Sequence, residues 1–164
     1  MAKKLSLNVL YKPEYRVIGV FCPVKDYRFC WMVNESLGYS FNHFGIFPTV
    51  FQGETNPHYF NVFENYNELL NLRLFIVNNR NSTRIIFQTP PLLDYLLIID
   101  ANESRHNLNK ILSDIRSVNS VNAAYFLDNQ LGKQSDQVFY DFELFVAETD
   151  NASRIKQVKF NEAI

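Results

Sequence analysis

Glycine is scarce in this chain, five residues in 164 and none of them clustered. A phosphate cradle made of consecutive backbone N–H groups needs glycines close together, so nucleotide-binding loops of that kind are excluded. Cysteine is scarcer still. Cys22 and Cys30 have seven residues between them, which suits neither a CxxC redox pair nor half of a zinc knuckle, and two buried free thiols are expected. No stretch approaches the ~20 apolar residues of a membrane-spanning helix, and the basic start Met1-Ala2-Lys3-Lys4-Leu5 precedes too short an apolar segment for a signal-peptide core. No membrane partner is expected, and a reducing cytoplasm is the expected compartment. Charge of one sign is also missing. Sixteen basic side chains against seventeen acidic ones leave a net −1, without the basic surplus that normally meets phosphate backbones, so nucleic acid is not an expected partner. The usual catalytic signatures are absent: no GxSxG, no HExxH and no EF-hand spacing. No cofactor and no metal site is expected.

What the chain does contain is core material, 47% hydrophobic and 15% aromatic residues, enough for one domain. We read residues 1–150 as that domain and leave 151–164 as a tail without assigned structure. Alternating residues predict a strand over 5–10, then Lys12-Pro13-Glu14 a turn, and the β-branched run over 15–21 a second strand pairing with the first as a hairpin. Asp26 is placed as the N-cap of a helix that Gly38 ends, with Tyr27, Cys30, Trp31, Asn34 and Leu37 as its buried face. The aromatic-rich segment from Ser40 to Asn81 reads as an antiparallel meander, and 78–82 as an exposed polar loop. The nearly unbroken apolar run over 92–99 marks a strand covered on both faces, near the sheet centre.

Leu108, Ile111, Leu112, Ile115 and Val118 then define an amphipathic helix, with Asn102 or Ser104 as its cap and a strand over 121–127 after it. Such a strand–helix–strand unit makes its two strands parallel, though not necessarily adjacent. The alternation of Val138, Tyr140, Phe142, Leu144 and Val146 predicts a last strand over 137–146 with one wet face. The fold class expected is α+β, a two-layer sandwich with two helices on one face of a mainly antiparallel sheet, ferredoxin-like with extra strands.

Few residues invite chemistry. His43, His58 and His106 lie in separate segments with no neighbour at ligand spacing, and surface or loop positions are expected for them. Arg28 puts a cation in the first turn of a helix, where the dipole disfavours it. Either it pairs with Asp26 or Asp94, the preferred account, or it grips a carboxylate or phosphate of a ligand. Trp31 is read first as core and second as a binding platform. Asp94 and Tyr95 open the central strand, as a turn or as part of a site. Asp26, Arg28, Trp31, Asp94 and Tyr95 are therefore the candidate binding residues.

Two resemblances follow from longer segments. Lys25-Asp26-Tyr27-Arg28-Phe29-Cys30-Trp31-Met32-Val33-Asn34-Glu35-Ser36-Leu37-Gly38, with Leu93-Asp94-Tyr95-Leu96-Leu97-Ile98-Ile99, resembles the bacterial IPExxxVDY family over roughly residues 5–128. Of its naming motif the chain keeps Asp94-Tyr95, with Phe87 and Leu93 similar in character, while Gln88 and Thr89 replace the Pro and Glu. The resemblance implies no assigned activity. Residues 95–128 also look like the closing half of an ACT-type ligand-sensing domain, a class that pairs sheets edge to edge and binds amino acids at the joint; the Gly usual in its ligand loop is absent. Taken together, the leading expectation is a non-catalytic module that binds a protein partner or ligand. The alternative is an ACT-like small-ligand sensor forming a homodimer through its sheet, and an enzyme of unknown reaction comes third.

Overall fold

A computed structural model of the chain describes residues 15–100, 106–127, 130–132 and 134–164. Its elements run β1 (Arg16–Phe21), α1 (Asp26–Leu37), β2 (Asn42–Thr49), β3 (His58–Asn67), β4 (Leu72–Asn78), β5 (Tyr95–Asp100), α2 (Leu108–Ser117), β6 (Ala123–Phe126) and α3 (Gln134–Glu162). The six strands form one sheet in the order β2-β3-β4-β5-β1-β6, every neighbouring pair antiparallel. Within it β6-β1-β5-β4, with α1 and α2, follow the ferredoxin-like plan, and the β2–β3 hairpin inserted after α1 widens the sheet. The α+β class and the antiparallel sheet are as expected. β5 and β6 both run against β1, which lies between them, so the crossover through α2 joins parallel strands that do not touch.

Alternation of side chains divides the core into two layers. Ile18, Val20, Leu74, Ile76, Leu97 and Ile99 point to the side covered by α1 and α2, which contribute Phe29, Cys30, Met32, Val33, Ile111, Leu112 and Ile115. Val17, Phe47, Phe60, Val62, Phe75, Val77, Leu96 and Ile98 point the other way and meet Phe142 and Val146 of α3 together with Ile86 and Phe87. β5 is therefore buried on both sides, as its apolar run predicted. Gly19 on β1 is required by close approach, since a Cβ there would lie 2.4 Å from the Leu93 side chain and 3.1 Å from Leu127.

Several expectations are corrected. The segment expected as a strand over 137–146 belongs to α3. Val138, Phe142 and Val146 are spaced by four, a spacing shared by a strand face and a helix face, while Tyr140 and Leu144 turn out to face solvent. No Gly or Pro interrupts 134–162, so the helix runs on through the residues left unassigned. α1 packs a face rotated from the expected one. Phe29, Cys30, Met32 and Val33 are buried, while Tyr27 and Trp31 stay 64% and 61% exposed. Its N-cap is Lys25, with no side-chain cap, and Asp26 is the first helical residue; Gly38 ends it in the left-handed conformation, as expected.

α2 is capped by Asn107, whose side chain accepts from the Lys110 N–H. The proposed caps Asn102 and Ser104 lie outside the described residues. The strand expected over 5–10, and with it the hairpin, does so too; among the described residues β1 lies between β5 and β6. The polar run 78–82 is not simply an exposed loop either, because Asn79 is fully buried.

Candidate functional site

Three of the candidate residues converge where α1 begins. The β4–β5 register sets Asn78 opposite Tyr95, bringing the end of β4 beside Asp94 and under the first turn of α1. Pro23, Val24, Lys25, Asp26, Asn78, Arg80, Asp94 and Tyr95 line a cleft of about 360 Å³ there.

The two carboxylates and the phenol of this cleft have fixed partners, whereas the Asn78 side-chain oxygen is buried without one among the described residues. Asp94 is buried; its Oδ2 accepts the Cys22 N–H at 2.9 Å and its Oδ1 meets Arg80 Nη2 at 2.5 Å. Asp26 Oδ2 accepts from the amides of Asn61 (2.9 Å) and Asn78 (3.0 Å), and its Oδ1 from the Tyr27 N–H (2.7 Å). Burial alone would push its carboxyl up, but these three donors outweigh it and hold the group below its ordinary value. The Tyr95 hydroxyl donates to the Val24 carbonyl, and its ring stacks on Phe29 at 4.6 Å. Burial first, then nearby Asp26 and Asp94, push that phenol well up.

The remaining two candidates lie elsewhere. Arg28 and Trp31 are on the outward side of α1 with Tyr27, and among the described residues Arg28 makes no ion pair. The cation on Asp94 is Arg80, which the sequence reading did not single out. Asn61, Asn78 and Asn79 were missed as well. The available signal was the Asn78-Asn79-Arg80-Asn81 run at the end of a buried strand, where a turn alone does not need three amides.

The cleft offers little reactive chemistry. Burial raises the Cys22 thiol, with Asp94 adding to it, and pushes Cys30 up to about 12, with Asp26 adding to it, so both are neutral thiols. The cleft lining includes no histidine. His58 instead joins Glu54 at 2.5 Å and Thr83 at 3.2 Å, while His43 packs edge-on against Phe63. Among the described residues no group of three His, Cys, Asp or Glu side chains is placed to hold a metal ion, and no helix is long and apolar enough to cross a membrane.

The side of the sheet that carries α1 also exposes apolar surface. Tyr59 and Ile46 sit on β3 and β2 in the alternation that points toward α1, set by Phe63 packing in that layer and by the Ile46–Asn61 register, and both are more than half exposed. On the same side α1 exposes Tyr27, Arg28 and Trp31. No family model matches the chain, and no curated protein or solved structure matches it.

Proposed function

We propose that the chain is a non-catalytic protein-interaction module whose recognition surface is the outward side of α1, with Tyr27, Arg28 and Trp31 as anchors. The observation that carries this reading is the exposure of Tyr27 and Trp31, one turn apart, on a helix whose opposite side is fully packed. Tyr, Trp and Arg dominate the energetics of protein interfaces: the two rings bury a large area with only two rotors each and keep a polar handle, and the arginine fork is pre-organised for hydrogen bonding. The cleft supports the same reading from the other direction, since its carboxylates are occupied by donors of their own fold. Two buried unpaired thiols favour a reducing cytoplasm as its compartment. The likeness of 25–38 and 93–99 to the IPExxxVDY family, which implies no activity, is compatible with such a role.

The test is affinity capture from the native host with wild type, Trp31→Ala and Arg28→Ala, each checked for an unchanged circular dichroism spectrum. A partner held by wild type and lost from both variants is expected. Equal recovery from all three would refute the surface. Steady turnover of a substrate that follows the wild-type chain through purification would refute the non-catalytic part.

A second reading, a small-ligand sensor, has one specific observation behind it. Two cavities of about 570 and 540 Å³ adjoin, sharing Phe51, Arg84, Ile86 and Gln134, room enough for an amino acid or acyl metabolite. A ligand at about 100 times its dissociation constant adds about 2.7 kcal/mol of stability, so a thermal-shift screen of those classes decides it. The sheet edges offer poor support for an ACT-like joint. β2 carries Pro48 and a register break between His43 and Gly45, and β6 is only four residues long.

A further inference from the structure

α3 has two sides. Phe142 and Val146 pack on the sheet, and Ser135 is buried with them. On the opposite side Tyr140, Leu144, Ala147, Asn151, Ile155 and Val158 recur at spacings of four, three, four, four and three residues, which align them in one stripe. At 1.5 Å per residue the stripe is about 27 Å long. Its large members are half exposed or more, from Leu144 at 50% to Ile155 at 56%. Every residue from 151 to 164 is exposed, and a free-standing helical segment of that length is marginal in water unless something packs on it.

The charges along the helix indicate what does. Residues 134–150 carry Asp136, Asp141, Glu143, Glu148 and Asp150 and no base, while 151–162 carry Arg154, Lys156 and Lys159 against one acid, Glu162. A parallel copy would set like against like. An antiparallel copy sets each half against its opposite.

We propose that the protein forms a homodimer by antiparallel pairing of α3 with α3 of a second copy, the two-fold axis crossing near Thr149. In that register Tyr140 meets Val158 of the second copy, Leu144 meets Ile155, and Ala147 meets Asn151. Asp141 falls on the same flank of the stripe as Lys159 and opposite it, and symmetry makes each contact twice. Ala147 is small enough to let the two axes approach at the centre. Asn151, the polar member of the stripe, resists shifts of register as a buried Asn does in a coiled coil. Because α1 and α3 cover opposite faces of the sheet, the dimer leaves both Tyr27–Arg28–Trp31 surfaces outward and so bivalent. The dimer does not rest on that recognition role.

Sedimentation velocity of the whole chain tests this. At about 100 µM, well above a micromolar dissociation constant, wild type is expected at twice the 19.3 kDa chain mass. Ile155→Glu and, separately, Leu144→Glu are expected to be monomers with unchanged circular dichroism, since both side chains face solvent in the single chain. Asp141→Lys and Lys159→Asp should each weaken the dimer about fivefold, two symmetric ion pairs being lost at once, and the double variant should restore it. A monomeric wild type, a dimer that survives both stripe variants, or a double variant no tighter than either single one overturns the proposal.

Discussion

Asn79→Ala should be among the most damaging single substitutions in this protein, although the polar run around it reads as an exposed loop. The side chain is fully buried, and its amide donates to the carbonyls of Phe87 and Leu93 at 2.9 Å each while its oxygen accepts the Phe87 N–H at 2.9 Å. Its backbone joins the same segment, donating to the Asp94 carbonyl (2.9 Å) and accepting from the Ile86 N–H (2.7 Å). One side chain thus fixes the course of 79–94 and with it the approach of Arg80 to Asp94. Alanine removes three hydrogen bonds and leaves three backbone groups without partners in the interior. At about 1 kcal/mol for each net bond, and more where a group stays dry, the loss is about 3–5 kcal/mol, against a total of roughly 5–15 kcal/mol for a domain.

Asn79→Asp sharpens the reasoning. It keeps the acceptor but turns a carboxylate toward two carbonyl oxygens, so at neutral pH it should be no more stable than the alanine variant. Burial beside carbonyls raises the folded-state pKa of such a carboxyl, so its penalty is present above the unfolded value and eases as pH falls and a proton restores one donor. Urea unfolding at pH 7 and pH 5, compared at constant slope, reads both effects. A loss below about 1 kcal/mol for Asn79→Ala, or an Asn79→Asp protein clearly more stable than it at neutral pH, would refute the assignment.

Three further outcomes follow from the same structure. Cys22 and Cys30 should resist thiol reagents in the native protein and react on unfolding; because the unfolded Cys30 ionises near pH 9 and the folded one at about 12, stability should fall through that window by about 1.4 kcal/mol per pH unit, and a flat alkaline profile would contradict it. Asp26, held below its ordinary value, contributes stability that is present above its unfolded pKa of about 3.9 and lost as pH falls through the folded value. The deficit of Asp26→Asn, about 1–3 kcal/mol at pH 7, should therefore narrow in acid; a constant deficit would argue against the linkage. Arg73 meets Glu64 at 2.5 Å and Asp150 through two bonds of 2.9 Å, a fork that lysine cannot copy. Arg73→Lys should therefore cost about 1–2 kcal/mol and speed amide exchange in α3 before the sheet, whereas uniform exchange would show that the fork does not tether the helix.

Much of the fold was legible because period and punctuation agreed. The run at 92–99, the helix from Leu108 to Ser117 and the meander between α1 and β5 each carried one pattern only. The misreadings fall where two patterns coincide. Val138, Phe142 and Val146 satisfy periods of two and of four, and the decision rests on Tyr140 and Leu144, which a lone domain leaves in water. In α1, Cys30 belongs to both candidate faces, and the core took Phe29, Met32 and Val33, which bring no polar atom with them, leaving the Trp31 side toward solvent. Asn79 was misread because a polar loop was equated with an exposed one, while its amide satisfies backbone groups that no strand reaches.

The site divides along the same line. Asp26, Asp94 and Tyr95 stood out because an acid or phenol at the mouth of a buried element needs a partner. The partners themselves come from strand register and from chain neighbours 35, 52 and 72 residues away, which local sequence does not encode. This bears on how variants are to be interpreted. Asp94 ties β5 to the Cys22 backbone, and Asp26 ties α1 to β3 and β4, so removing either loosens the helix that presents Tyr27, Arg28 and Trp31. Loss of a biological activity in such a variant would report the position of α1 as readily as chemistry in the cleft. Trp31→Ala and Arg28→Ala alter side chains that the fold itself leaves in water, and only they separate recognition from folding.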